Sequence, residues 1–123
     1  MNKNRTARDF VIDIASRSPC RIRVAAVLSD NHGIFSWGWN HPAPDGSGVH
    51  AEEHAISRAN RRRLKGSRLT VFGARRKNEA PVTARPCKDF CLLLALKYGI
   101  AVIEYGTKSG TWIVEKLGYV RAR

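Results

Sequence analysis

The fold is decided by three stretches that follow one another along the chain: LTVFGA at residues 69–74, PCKDFCLLLALKYG at 86–99 and IAVIEY at 100–105. The first and third are apolar and rich in strand-forming residues, so each predicts a β-strand. The middle stretch predicts a helix from Pro86, a residue typical of a first helical turn, to about Tyr98, with Gly99 as its stop. Its four leucines cover more than one face, so we expect this helix to be buried on several sides. A strand–helix–strand unit brings its two strands parallel, which indicates an α/β protein.

The preceding half of the chain predicts a helix, a hairpin and a second helix. Apolar residues at three- and four-residue spacing favour a first helix that ends before Ser18. Ile22–Leu28 and Ile34–Trp39, joined by turn-forming residues, predict an antiparallel hairpin. The segment 41–48 holds two prolines and two glycines and is expected to be a loop, whereas 51–64 has no helix breaker and predicts one helix. His50 would then stand at a helix start.

The end of the chain completes the sheet. Only residues 106–110 separate the strand at 100–105 from a further strand at 111–115, too few for a parallel crossover. The last two strands should therefore be antiparallel. The whole order predicts a three-layer α-β-α architecture with a five-stranded mixed sheet, formed by a single domain over residues 1–123.

Composition narrows the class of protein. The chain has 22 Lys and Arg against 10 Asp and Glu, a net charge of +12, which favours polyanionic partners such as nucleic acid. Hydrophobic residues make up 43%, enough for a packed core, and the longest apolar stretches are far shorter than the roughly 20 residues of a membrane span. The beginning of the sequence lacks the apolar region of a secretory signal, so we expect a cytoplasmic or nuclear protein without a membrane partner. Three cysteines are more consistent with free thiols or metal ligands than with disulfides.

Two predicted helix starts hold the residue types of a catalytic zinc site. His50-Ala51-Glu52 lies at one, and Pro86-Cys87 with Cys91 lies at the other. Such a site needs three imidazole or thiolate ligands and one open position for water, which His50, Cys87 and Cys91 would supply. Both cysteines, four residues apart, would share one helix face, and Glu52 remains free to move protons. His54, four residues after His50, is a weaker candidate ligand that we expect to pack near the site.

These motifs resemble those of the zinc-dependent cytidine and deoxycytidylate deaminase superfamily, whose pattern is H-x-E followed by P-C-x-x-C. Here three residues, rather than two, separate the cysteines. The resemblance implies a cytidine deaminase-like fold, with Zn²⁺ on His50, Cys87 and Cys91 and with Glu52 as the proton shuttle. It further implies a hydrolytic deaminase that converts the exocyclic amine of a nucleobase to a carbonyl and releases ammonia, with cytosine to uracil favoured over reaction at adenine.

The same resemblance suggests residues that contact the substrate. Asn40, ten residues before His50, occupies a position where the superfamily often has an asparagine that contacts the substrate sugar. The other predicted contacts are Ala51, Pro86 and Trp39. Alternation places Phe35, Trp37 and Trp39 on one strand face, where core packing is the usual role, although Trp39 could stack on an unpaired base.

The segment 58–77 contains nine basic residues and no acid, namely Arg58, Arg61, Arg62, Arg63, Lys65, Arg68, Arg75, Arg76 and Lys77. A solvated helix end and a phosphate-binding patch explain this run equally well. The short connection between the last two strands resembles that of free cytidine deaminases and some bacterial toxin deaminases. The charge instead favours a phosphorylated substrate or an unpaired base in single-stranded nucleic acid. Nucleoside, nucleotide and single-stranded substrates therefore stay open.

The sequence also allows two alternatives to a cytosine deaminase. The chain could be a non-catalytic nucleic-acid-binding domain with a structural zinc, but such a domain has no use for an acid at Glu52. A diaminopyrimidine deaminase of the riboflavin type is suggested only by His54 after the H-A-E motif. The resemblance also allows a homo-oligomer in which a neighbouring subunit completes the pocket.

Overall fold

A computed structural model describes residues 6–117, so the predicted domain over 1–123 extends past the described residues at both ends. The elements, in chain order, are α1 (Ala7–Ala15), β1 (Ile22–Asp30), β2 (Gly33–Trp39), β3 (His41–Pro42), β4 (Gly48–Val49), α2 (Ala51–Ser57), α3 (Arg61–Leu64), β5 (Arg68–Arg75), β6 (Pro81–Val82), α4 (Cys91–Lys97), β7 (Val102–Gly106) and β8 (Trp112–Lys116). None of the helices among these residues is long and apolar enough to cross a membrane.

The main sheet confirms the predicted α/β class and its mixed topology. Five strands lie in the order β2-β1-β5-β7-β8, and the short β6 pairs with β5 beside this path. β5 and β7 are parallel, while β7 and β8 are antiparallel, as the short connection between them requires. The helices pack on both faces, which gives the three layers.

Strand β1 shows how the sequence divides the core between the two faces. Ala25 and Val27 pack with α1, whereas Ala26 and Leu28 face the layer formed by the helices that follow β2 and β5. Because side chains alternate along a strand and all four are buried, β1 lies in the middle of the sandwich.

A bulge overturns the prediction that the three aromatic residues of β2 share a face. The β1–β2 register shifts between Leu28 and Ser29. Phe35 therefore packs in the layer of α2, α3 and α4, and Trp37 and Trp39 pack on the α1 side. One extra residue in a bulge changes which face the following side chains take.

Two segments are more divided than predicted. The expected loop at 41–48 contains most of a small antiparallel pair, in which β3 and β4 are joined by a turn. The expected helix over 51–64 is two helices, because Asn60 begins a new one by accepting a hydrogen bond from the Arg62 N–H. Asparagine is a strong N-cap residue, so this boundary was readable from the sequence.

The leucine-rich helix differs most from its prediction. It begins at Cys91 rather than at Pro86, and its buried residues are Cys91 and Ala95. Leu93 and Leu96 are 58% and 44% exposed, so the expectation of burial on several sides is wrong. Helix α4 lies at the outside of its layer and contributes only one stripe to the core. Gly99, with a φ of 76°, ends it as predicted.

The topology brings the two candidate motifs to one edge of the sheet. β1 runs antiparallel to both β2 and β5, so β2 and β5 run in the same direction. The chain therefore leaves both strands at the same edge, where the connections to α2 and α4 begin. Helix α2 is pressed against β2, since a Cβ on Gly38 would lie 2.5 Å from the Ala55 nitrogen.

Candidate metal centre and active site

His50 is held at the start of α2 as its N-cap residue. Its backbone N–H donates to the Glu53 carboxylate at 3.3 Å, and its ring lies 5.4 Å from that of Phe90, centroid to centroid. Glu53 closes the first turn of the helix by this hydrogen bond. The imidazole is thereby fixed on the side of α2 that faces the start of α4.

The two cysteines do not share a helix. Cys87 lies in the segment before α4, residues 88–90 form a turn, and only Cys91 belongs to the helix. The Cys91 N–H donates to the Cys87 sulfur at 3.2 Å, and the Leu92 N–H donates to the Cys87 carbonyl at 2.8 Å. The prediction of two thiols one turn apart on a helix face is therefore wrong in its geometry. The turn takes up the additional residue between the cysteines and still brings both thiols together.

The predicted ligand atoms converge. The His50 Nδ1 lies 3.2 Å from the Cys91 sulfur and 3.8 Å from the Cys87 sulfur, and all three ligand atoms lie within 4.8 Å of one another. In a tetrahedral zinc site with ordinary Zn–S and Zn–N bonds, a nitrogen and a sulfur ligand stand about 3.6 Å apart. The arrangement therefore fits a zinc ion held by one imidazole and two thiolates.

The chemistry of this donor set also fits a cation. Burial, reinforced by the adjacent Glu52 carboxylate, raises the pKa of the Cys91 thiol above its usual range. The Cys91 thiol and the Glu52 carboxyl, which both become anions when deprotonated, are thus packed together in the protein interior. A divalent ion is the partner that stabilises thiolates in such a place.

Glu52 lies beside the cluster and is only 5% exposed. Burial raises the pKa of its carboxyl above the usual value for a glutamate, and the neighbouring Cys91 thiol interacts with it. A raised pKa brings a carboxyl closer to the range in which it can both take and give a proton near neutral pH. Glu52 is therefore suited to proton transfer next to the metal.

A cavity of about 550 Å³ opens over these residues. His50, Ala51, Glu52 and Cys87 lie in its wall together with Asn40. Asn40 is also tied to β1, since its Oδ1 accepts from the Val24 N–H and from the Ser18 hydroxyl and its Nδ2 donates to the Ile22 carbonyl. One Nδ2 hydrogen is left over in this count and could serve a ligand.

The other two predicted substrate contacts, Trp39 and Pro86, are not among the residues that line this cavity. Trp39 packs on the α1 side and against His54, with ring centroids 4.9 Å apart. His54 lies outside the metal cluster: its Nδ1 accepts the Trp39 backbone N–H at 3.2 Å and its ring also contacts His41. The role expected for His54, packing near the site, is the one observed.

Part of the cavity wall was missed by sequence reasoning. Cys20 lines the cavity with Ile22, and so does Arg85, which belongs to the connection after β6. The Arg85 guanidinium forms a bidentate ion pair with Glu115, at 3.0 and 2.9 Å, and Tyr105 donates to the same carboxylate. The contribution of Cys20 and Ile22 could have been predicted from the topology. Because β1 is antiparallel to β2 and β5, it begins at the edge of the sheet where those two strands end, so residues at the start of β1 lie near the metal centre.

The predicted basic patch is divided by the structure. β5 starts at Arg68 and ends at Arg75, and eight residues of strand span about 25 Å. Three of the cations near its start have partners: Arg63 pairs with Asp30, Arg68 pairs with Glu104, and Arg61 lies over the Tyr98 ring. Arg75, Arg76 and Lys77 lie at its other end, which is the edge that carries the metal centre. The nine residues therefore do not form one patch.

A protein-family model matches most of the chain. The model of the cytidine and deoxycytidylate deaminase zinc-binding region matches residues 1–107. This chain belongs to that deaminase family. The match extends through both ligand motifs, and the cluster of His50, Cys87 and Cys91 is consistent with the Zn²⁺ of this zinc-binding family. No curated protein matches the chain.

Solved structures confirm the fold of the family. A cytidine deaminase from Burkholderia pseudomallei superposes with a TM-score of 0.68 at 17% identity, covering 94% of this chain and 93% of the other. A dCMP deaminase from the cyanophage S-TIM5, in complex with dCMP and dUMP, gives 0.53 at 17% identity, covering 81% and 75%. Acinetobacter baumannii RibD gives 0.61 at 17% identity over 82% of this chain, which spans only 27% of that protein.

Proposed function

We propose that this member of the deaminase family hydrolyses the exocyclic amine of cytosine, in a nucleoside, a nucleotide or a single strand, to give uracil and ammonia. The observation that carries the proposal is the position of Glu52. It is a buried carboxyl in the wall of the cavity, directly beside the ligand cluster and not itself part of it. A structural zinc site has no need of such an acid.

The role of Glu52 follows from the protons that the reaction must transfer. One water is consumed: its oxygen forms the new bond to C4, and its two protons must leave. Glu52 accepts the first proton and delivers it to N3 of the ring. It then takes the second from the new hydroxyl group and gives it to the amine, which departs as ammonia while the C4 carbonyl forms. Zinc, held by His50, Cys87 and Cys91, supplies the Lewis acidity that lets water act as a nucleophile at neutral pH.

The cavity supports a nucleoside-sized substrate. Its volume of about 550 Å³ lies in the range of small-molecule sites. Asn40 and Ala51 lie in the wall beside His50 and Glu52, so a base that reaches Glu52 places its sugar within reach of Asn40. Arg85 also lies in the wall, where its guanidinium is paired with Glu115. Cytosine is favoured because structural relatives are named cytidine and dCMP deaminases.

The test compares zinc-loaded protein with Glu52→Gln and Glu53→Gln variants. Deamination of cytidine, deoxycytidine, their monophosphates, adenosine and single-stranded DNA and RNA is followed by mass spectrometry. We expect Glu52→Gln to lower the rate by about 10²- to 10⁴-fold, the usual contribution of a general acid–base group, while zinc content is retained. Glu53→Gln keeps an oxygen that can accept the His50 N–H and should stay within a few-fold of the parent protein.

Equal activity of the parent and Glu52→Gln proteins would contradict the proposal. If no amine is lost from any substrate while zinc and nucleic acid still bind, the domain is a zinc-stabilised binding module.

A further inference from the structure

A second cleft lies next to the active-site cavity and is lined almost entirely by cations. Its walls are Arg21, Arg75, Arg76 and Lys77 together with Ile22, and its volume is about 610 Å³. All four basic residues are exposed. Ile22 also lines the active-site cavity, so the cleft and the cavity share a wall. A ligand leaving the mouth of the cavity over Ile22 would enter the basic cleft.

The backbone that carries these cations is fixed by the sheet. Ile22 pairs with Arg75 at the first step of the β1–β5 ladder. Just beyond the ladder, the Arg76 N–H donates to the Arg21 carbonyl at 2.8 Å, and the Arg76 guanidinium donates to the Pro19 carbonyl at 3.1 Å. The two halves of the cleft are therefore held together before any ligand binds, which lowers the cost of ordering them.

These charges are free to meet an external anion. Within residues 6–117, no ion pair involves any of the four basic residues of the cleft. The acid nearest in sequence is Glu79, in the turn after β5, whose backbone N–H donates to the Arg75 carbonyl. One exposed carboxylate against four cations leaves the cleft strongly positive.

We propose that the basic cleft binds the phosphodiester backbone of a single-stranded polynucleotide whose unpaired base occupies the active-site cavity. The proposal rests on the proposed function for its account of the cavity. A single strand is favoured because its base is already unpaired, whereas a base inside a duplex must first leave the stack at a cost in free energy. A mononucleotide brings only one phosphate, whereas the cleft offers four cations that no ion pair within residues 6–117 occupies. Successive phosphates of a strand match that distribution of charge.

The test measures binding in the Glu52→Gln background, so that the probe stays intact. The cleft variant carries Arg75→Gln, Arg76→Gln and Lys77→Gln. The matched control carries Arg61→Gln, Arg62→Gln and Lys65→Gln, which remove the same charge at the opposite end of β5. The probes are a fluorescent single-stranded oligodeoxynucleotide with one cytidine, its RNA equivalent and, as competitor, dCMP. Affinity is read by anisotropy between about 50 and about 200 mM salt.

We expect the cleft variant to bind the oligonucleotide at least about tenfold more weakly at low salt. The slope of log K against log salt should fall by about 2, since each lost phosphate contact in a single strand contributes about 0.7. The control variant should keep both the affinity and the slope. The DNA and RNA arms show which sugar the strand carries.

A second readout separates this proposal from the proposed function. In otherwise unaltered protein, the ratio of kcat/KM for the oligonucleotide to kcat/KM for deoxycytidine should fall about tenfold in the cleft variant and stay unchanged in the control. Equal losses in both variants would show diffuse attraction and overturn the proposal. So would a loss of dCMP binding alone, which would assign the cleft to a mononucleotide. If strand binding depends on the cleft but no substrate is deaminated, the proposed function fails and the binding site stands.

Discussion

Helices α2 and α4 both deliver metal ligands, yet they are held in place very differently. Helix α2 buries Ala51, Glu52, Ala55 and Ile56 and is pressed against β2 at Gly38. Helix α4 is of the same length but buries only Cys91 and Ala95. Two similar sequence motifs, each with a metal ligand at a helix start, are therefore held in position by different forces. Packing of α2 against β2 positions His50. The turn at residues 88–90 and binding of the metal position Cys87 and Cys91.

Metal removal should separate the two helices most strongly. With zinc chelated, we expect the amide of Leu92, which bonds to the Cys87 carbonyl, to lose about 100-fold or more of its hydrogen-exchange protection. The amide of Arg58, which bonds to the His54 carbonyl at the end of α2, should change only a few-fold because packing holds that helix. Exchange measured by mass spectrometry or NMR gives both values.

Zinc added back is the control for this experiment and should restore the Leu92 amide. Equal loss of protection at both amides would mean that α2 depends on the metal as much as α4 does, and the comparison would fail.

Gly38→Ala tests the packing of α2 directly. The added Cβ would lie 2.5 Å from the Ala55 nitrogen and 2.8 Å from the His54 Cβ, and backbone cannot move aside cheaply. We expect a loss of about 3 kcal/mol in the free energy of unfolding, the upper part of the range for overpacking. Urea unfolding measures it. The matched control is Gly48→Ala, since a Cβ there meets nothing within 4 Å. A Gly38→Ala protein as stable as this control would contradict tight packing of α2.

An ion pair anchors the helix that follows α2, and it makes a pH-dependent contribution. The Arg63 guanidinium donates two hydrogen bonds to Asp30 and lowers the pKa of that carboxyl to about 2. The stabilisation is therefore complete above the ordinary aspartate pKa near 4 and is lost as the pH falls from about 4 to about 2. NMR titration of Asp30 reports the pKa, and Arg63→Gln should return it towards 4. An unchanged Asp30 pKa in that variant would show that the pair does not form.

The smallest effect is expected on the outer face of α4. Leu93→Gln and Leu96→Gln should each change the free energy of unfolding by no more than about 0.5 kcal/mol, because both side chains are largely exposed. Thermal unfolding at several protein concentrations provides the measurement. A loss above about 1 kcal/mol that grows with concentration would show that another copy of the chain covers this face.

The metal centre was predictable to the level of residue identity but not of geometry. His50, Cys87 and Cys91 could be chosen from the sequence because few residue types bind zinc and because each motif follows a strand of the sheet. The start of α4 could not, since proline at residue 86 is compatible both with a first helical turn and with the extended segment observed. A shift of five residues in this boundary moved Cys87 from a helix to a loop without separating it from Cys91.

Burial and pairing were harder to predict than chemistry. The four leucines of α4 have the same hydrophobicity wherever they lie, and their exposure depends on whether another layer covers the helix. The face taken by Phe35 depends on a bulge whose partner is in another strand. Arg63 and Arg75 are equally basic in the sequence, but only Arg63 meets a carboxylate, that of Asp30 at the end of β1, more than 30 residues away.

The sequence alone determined the residue types of the zinc site, the spare acid at Glu52, the alternation that builds the sheet and the antiparallel end of the chain. These depend on side-chain chemistry and on short-range spacing, which are local properties. Tertiary structure decided which cations are free, which apolar residues are covered and that Cys20, Ile22 and Arg85 join the cavity wall. Those properties depend on contacts between residues far apart in the chain, and only the folded sheet brings such residues together.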